Sequence, residues 1–103
     1  MTTGVSIVGS GHTQFGRLQE NLEELIVGAT REAVEESGID PNDIDAVFLG
    51  HFNSGMVTDG FAYSLIHQAY PQLRFKPGMR AENACASGSA AIHAGMNMIR
   101  AGQ

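Results

Sequence analysis

Cys85 is the only cysteine of the chain and a candidate nucleophile, set in Glu82-Asn83-Ala84-Cys85-Ala86-Ser87-Gly88-Ser89-Ala90-Ala91 among small side chains. From Asn83 to Ile99 there is no Asp, Glu, Lys or Arg. This pattern predicts a buried helix near 85–101, entered at the cysteine itself. The first-turn N–H groups of a helix lack intrahelical acceptors, and their partial positive charge favours a thiolate over a thiol. A thiolate so placed could form a covalent intermediate with an electrophilic carbon. Beside this stands the plainer reading of a lone cysteine as a small, inert hydrophobe.

The four histidines are the other residues with chemistry to offer. His67 and His93 fall on predicted helices and read as ordinary hydrogen-bonding residues. His12 and His51 follow predicted strands, where loop residues commonly face a cavity. No metal site is expected, because no His-x-x-x-His spacing occurs and Cys85 has no second cysteine to join.

These residues need elements to position them. Gly4 to Gly16 opens with a β-branched run ending in glycines, predicting a strand near 4–9 and a turn. Gly9 and Gly11 invite comparison with a dinucleotide-binding fingerprint. Gln14 stands where its third glycine belongs, no helix begins at the turn, and the next strand runs into Gly50-His51-Phe52 instead of an acidic residue. A helix near 21–37 has Asn21 as N-cap, Glu24 three residues on, and Leu22, Leu25, Ile26, Ala29 and Ala33 along one stripe. Glu23, Glu24, Arg31, Glu32, Glu35 and Glu36 read as its solvated face, and Gly38 ends it. Asp40-Pro41 starts one short helical turn before a strand near 45–50. A strand, a one-faced helix and a second strand favour parallel pairing, so the fold class is α/β.

After Gly50, residues 51–60 read as a loop, with Asp59 capping a helix near 60–70 that Pro71 closes. Leu73 to Gly78 is a basic, turn-rich connection that reads as a solvated loop and, less simply, as a lure for phosphate. A strand near 79–84, charged at Arg80 and Glu82 as edge strands are, flows into Cys85. In the last helix Gly88 and Gly95 each cost about 1 kcal/mol relative to Ala, which close packing or a ligand near the backbone would offset.

Composition excludes several classes. One hundred and three residues make one domain or less. Lys+Arg 6 against Asp+Glu 11 gives a formal net charge of −5 without a basic cluster, so nucleic acid is not expected as a partner. No leader pattern occupies Met1 to Gly16, and one cysteine makes no disulfide framework, so a cytoplasmic protein is expected. The uncharged run around Cys85 is broken by Asn83, Ser87, Gly88, Ser89, His93 and Asn97, and no membrane span is expected.

The order strand, helix, strand, loop, helix, strand, then Asn83-Ala84-Cys85-Ala86-Ser87-Gly88-Ser89-Ala90-Ala91, resembles the N-terminal part of the thiolase family from end to end. The Asn, the Cys and the Ser-Gly pair fall where thiolases place the acyl-accepting cysteine, and Val5 to Gly11 and Asp45 to Gly50 align with the family's first two strands. The resemblance implies a mostly parallel sheet with helices on both faces and Cys85 at the N-terminus of a buried helix. It also implies an acyltransferase of the acetyl-CoA acetyltransferase type in lipid metabolism. Cys85 would carry the acyl group in thiolysis of a 3-oxoacyl-CoA or the reverse Claisen condensation, its N–H helping to hold the oxyanion. Acyl-CoA would be the substrate, with no permanently bound cofactor and no CoA-contacting residue assigned. The strand before Cys85 would mediate a homodimer or hetero-oligomer.

Thr58-Asp59-Gly60-Phe61-Ala62 stands where many thiolases carry Gly-Gln-Asn and Arg, which brings the chain nearer the sterol-carrier-type, thiolase-like branch. The family's activating histidine, second acid–base cysteine and second repeat would lie beyond Gln103. Residues 1–103 are therefore expected to be an incomplete N-terminal domain, a poor solo folder, inactive alone and completed by downstream sequence or a separately encoded partner. Two alternatives accompany this expectation: a non-catalytic thiolase-like subunit binding acyl groups or a partner, and a small nucleotide-binding α/β module using Gly9 and Gly11.

Overall fold

In a computed structural model, which describes residues 4–53, 55–58 and 60–103, two short parallel strands carry helices on both faces. Helix α1 (Leu22–Ser37) begins where its sequence says it should. The Asn21 side chain accepts the Glu24 N–H at 2.8 Å, and the Glu24 carboxylate accepts the Asn21 N–H at 3.2 Å, so two orphan donors are satisfied reciprocally. Gly38 ends it at φ 71°, a left-handed conformation that glycine adopts without a Cβ penalty. A 3-10 turn at Pro41–Asp43, capped by the Asp40 side chain, leads into β1 (Val47–Gly50).

Strand β1 pairs in parallel with β2 (Gly78–Ala81), with Val47 opposite Gly78 and Gly50 opposite Ala81. Alternation along β1 then assigns its two faces. Val47 and Leu49 pack on Ile66, Ala69 and Leu73, with Ile26, Val27, Ile44 and Tyr70 completing that core. Leu73 is wholly buried, which stabilises the fold by about 1.5–3 kcal/mol relative to an exposed side chain. On the other face, Phe48 lies against Gly95 and Gly50 against Ser87 and Gly88, all three on helix α2 (Ser87–Arg100). The absence of a side chain at Gly50 lets helix and strand approach closely, whereas a Cβ at Gly95 would meet Phe48 at an ordinary contact distance of 3.6 Å.

Several sequence expectations are corrected. No strand forms at 4–9 among the described residues. A β-branched run becomes a strand only where a ladder partner exists, and this segment instead lies along the C-terminal half of α1. A Cβ on Gly9 would collide with the Ala33 carbonyl, and one on Gly11 with the Ala29 carbonyl. A dinucleotide fingerprint places its glycines at a helix N-terminus; these two instead pack against Ala29 and Ala33 inside α1, so close packing accounts for them. The expected helix near 60–70 is a 3-10 helix at Ala62–Gln68, followed by a 3-10 turn at Pro71–Leu73; its expected cap, Asp59, lies outside the described residues. Arg31 is not simply solvated: its Nε donates to the Ala69 carbonyl at 2.9 Å and its guanidinium sits over the Tyr70 ring.

The largest correction concerns α2. It starts at Ser87, two residues after Cys85, and only Ser87 and Ala91 are buried on it. Ile92 and Ile99 are 55% and 50% exposed, because among the described residues no layer packs on that side. The whole structure exposes 7291 Å², against about 5,600 Å² expected for a folded monomer of this mass. Faces of a kind that proteins normally cover are open.

Candidate active site

The two strands end side by side. His51 extends the ladder by donating its N–H to the Ala81 carbonyl at 3.0 Å, and β2 runs on through Glu82 and Asn83 into the turn that carries Cys85. Loops beyond the carboxyl ends of parallel strands are where α/β folds place their ligands.

The turn is strained and tightly bonded. Ala84 has φ 46°, a left-handed conformation that a residue with a Cβ adopts at a cost of roughly 1–3 kcal/mol unless its surroundings enforce it. Here they do. The Ala86 N–H donates to the Asn83 carbonyl at 2.9 Å, closing the turn, and the Ser87 N–H donates to the Ala84 carbonyl at 3.2 Å. The Ala84 N–H donates to the Glu82 carboxylate at 2.6 Å. The Ser87 hydroxyl accepts the Asn83 N–H at 2.8 Å and donates to the Ala84 carbonyl at 2.6 Å.

Cys85 stands exposed at this turn. The N–H groups of Cys85, Gly88 and Ser89 find no acceptor among the described residues, and Ala86, in the N-cap position, contributes no side-chain bond. An exposed thiol is thus joined to a helix head with donors to spare, an arrangement able to hold a negative oxygen. Below it, Gly50 abuts the first turn of α2 so closely that a Cβ would strike the Ser87 carbonyl and the Gly88 Cα.

The structure separates the four histidines. His51 lies at the same carboxyl edge as the Cys85 turn, and its Nδ1 is buried with no hydrogen-bond partner among the described residues. His12 is exposed, meets Phe15 edge-to-face at 4.7 Å, and lines a hollow of about 270 Å³ between the N-terminal arm and α1 that shares no residue with the Cys85 turn. His67 bonds through Nε2 to the Lys76 carbonyl at 2.8 Å, and His93 is exposed on α2. The basic loop is engaged locally: Arg74 covers the Phe75 ring at 4.8 Å, and Lys76 Nζ donates to the Asn42 carbonyl at 3.2 Å. Among the described residues no three His, Cys, Asp or Glu side chains cluster as a metal site would require.

Two residues shape this edge without having drawn attention as working parts in the sequence. Asn53 folds the loop after His51, its side-chain amide bonding both the N–H and the carbonyl of Val57 at 2.9 Å. An Asn in a Gly- and Ser-rich loop was the available signal. Ser87 stood inside the cysteine motif as one letter of a pattern, yet a serine at a helix start is a ready side-chain partner for nearby backbone.

Comparison with known proteins bears on the whole of this arrangement. The family "Thiolase, N-terminal domain" matches residues 5–103. The chain is 36% identical over 99 residues to an acetyl-CoA acetyltransferase of Methanocaldococcus jannaschii, covering 95% of this chain and 25% of that protein. It is 29% identical to an acetyl-CoA acetyltransferase of Methanothermobacter thermautotrophicus, covering 95% of this chain and 26% of the relative. It is 30% identical to benzoylsuccinyl-CoA thiolase subunit BbsB of Thauera aromatica, covering 95% of this chain and 25% of that subunit. The chain therefore spans about a quarter of the length of the curated relatives it matches. With a family match running from Val5 to Gln103 over a small parallel α/β sheet, the chain belongs to the thiolase family, to its N-terminal domain.

Proposed function

We propose that this chain supplies the acyl-accepting part of a CoA-dependent thiolase, with Cys85 as the nucleophile. The observation that carries the reading is the join between β2 and α2, where Cys85 is exposed beside N–H groups that have no acceptor among the described residues, on a turn held in a strained conformation. Membership of a family whose relatives are named for acetyl-CoA acetyltransfer and thiolysis supports acyl-CoA as the substrate class.

The chemistry suits the residue. The Cys85 thiolate attacks the thioester carbonyl carbon, forming a C–S bond while the carbonyl π electrons move to oxygen. The Cys85 N–H holds that oxyanion. Collapse breaks the bond to the CoA sulfur, CoA leaves as a thiolate and takes up a proton, and the acyl group stays on Cys85. Exchange between two thioesters is nearly balanced, so the acyl-cysteine both forms and discharges readily. Loss of an oxyanion donor of this kind typically costs about 10²–10³ in rate.

A condensation also needs a group to remove an α-proton, and residues 1–103 are proposed to have no appreciable turnover alone. The open face of α2 and the outer edge of β2, unpaired among the described residues, support completion by further sequence or by a second subunit pairing along Gly78–Ala81. A relative that is itself called a thiolase subunit favours membership of a multi-subunit assembly, and the second reading is a non-catalytic acyl- or partner-binding member of such an assembly.

Acetyl-CoA exposure of the complete assembly, followed by mass spectrometry of the Cys85 peptide, separates the two. An acetyl adduct that is lost in Cys85→Ser is expected. A complete assembly that turns over acyl-CoA without any adduct on Cys85 would remove the nucleophile assignment. Turnover by residues 1–103 alone, abolished by Cys85→Ser, would overturn the claim that a partner or further sequence is required.

A further inference from the structure

We propose that Ser87 is a positioning residue, whose hydroxyl locks Ala84 in its left-handed conformation and so fixes where the Cys85 Sγ and N–H point. The proposal rests on the assignment of Cys85 as nucleophile and goes beyond it, to what presents that nucleophile. Ser87 is 5% exposed, so its hydroxyl serves the protein interior and not solvent. The hydroxyl both accepts and donates across the Asn83–Ala84 pair: it accepts the N–H of Asn83 and donates to the carbonyl of Ala84. The peptide group that follows the strained Cα, whose N–H is that of Cys85, and the N–H one peptide before Ala84 are thereby tied to the first residue of α2, fixing the Asn83–Ala84 segment at both ends.

Without the hydroxyl, the Asn83 N–H has no other partner among the described residues, and Ala84 keeps a Cβ that disfavours positive φ. The turn then relaxes toward negative φ. Cys85 is the next residue, so rotation at Ala84 swings its N–H and its thiol together. A misplacement of about 1 Å in a reacting group costs about 10²-fold in rate. Gly50, packed on the Ser87 carbonyl, pins the same residue from the strand side.

The test uses the complete assembly, acetyl-CoA as the probe, and the rate of Cys85 acetylation followed by mass spectrometry, with iodoacetamide alkylation as a second measure of thiol presentation. Ser87→Ala should lower the saturating acetylation rate by about 10- to 100-fold with little change in the half-saturating acetyl-CoA concentration. Ser87→Thr, which keeps the hydroxyl, should far exceed its isostere Ser87→Val. Adding Ala84→Gly to Ser87→Ala should recover about tenfold or more, because glycine takes the left-handed conformation unaided. Hydrogen exchange at β1 and α1 verifies that each variant is folded. Equal rates for the Thr and Val variants, or no recovery with Ala84→Gly, overturn the proposal. Unfolding of every hydroxyl-free variant overturns it too, by making Ser87 a purely structural residue. Absence of an acetyl adduct in an active wild-type assembly instead overturns the Cys85 assignment, a result distinct from any of these.

Discussion

Residues 4–16 and residues 78–87 both read in the sequence as a strand running into a turn of small residues, and they end in opposite conditions. The first lies unpaired along α1, with Ile7 80% exposed and Phe15 92% exposed, held by the fit of Gly9 and Gly11 against helix carbonyls. The second is paired to β1, turns at a left-handed alanine, and has its backbone groups tied by the Ser87 hydroxyl and the Glu82 carboxylate. One contact is mainly steric, with a single long hydrogen bond from the Ser10 hydroxyl to the Glu36 carboxylate at 3.5 Å; the other is directional and closed. A reactive side chain needs the second kind, because hydrogen bonds fix orientation where packing against a helix fixes only distance.

Substitutions in the complete assembly test that contrast. The largest effect belongs to Leu73→Ala, which empties the core under β1 and should lower stability by about 2–5 kcal/mol. Hydrogen exchange should then rise in β1, β2 and α1 together; a rise confined to one of them would mean that they do not share a core. Next comes Gly50→Ala, whose Cβ strikes the backbone of α2's first turn. It should cost about 1–3 kcal/mol in denaturant unfolding and slow Cys85 acetylation as well, and unchanged acetylation would sever the link between β1 and the cysteine turn. Gly11→Ala should cost about 1 kcal/mol, at the lower end of that range, because the arm can swing off α1 locally. Faster proteolysis of residues 4–18 with acetylation intact is the expected pair of results, and slowed acetylation would show that the arm also positions the site. Last, Gly28 sits on α1 with nothing near its Cβ position, and Gly28→Ala should raise stability by about 0.4–1 kcal/mol in the same unfolding measurement.

Much of this was legible in order along the chain. The caps at Asn21 and Gly38, the Asp40-Pro41 turn and the α/β alternation depend on bonds within a few residues, and the structure has a helix, a turn and a parallel strand pair at those positions. Cys85 was legible as a motif, but its setting was not: the residues read as a buried helix entered at the cysteine, whereas Cys85 stands exposed at a turn and α2 starts at Ser87. The strand near 4–9 was not correctly legible. Its propensity is real, but a strand exists only with a hydrogen-bonding neighbour, and among the described residues β1 pairs with β2 alone. Arg31 was misread for a similar reason: its partner, the Ala69 carbonyl, is 38 residues away.

The sequence alone determined the family, the α/β class and the identity of the candidate nucleophile, since each is written in residue types and short spacings. Only the tertiary structure decided that α2 starts two residues after Cys85, that Ala84 is left-handed, and that Ser87 and Gly50 hold the turn from both sides. Those facts depend on where β1 ends relative to α2, a juxtaposition of segments distant along the chain that no local pattern encodes.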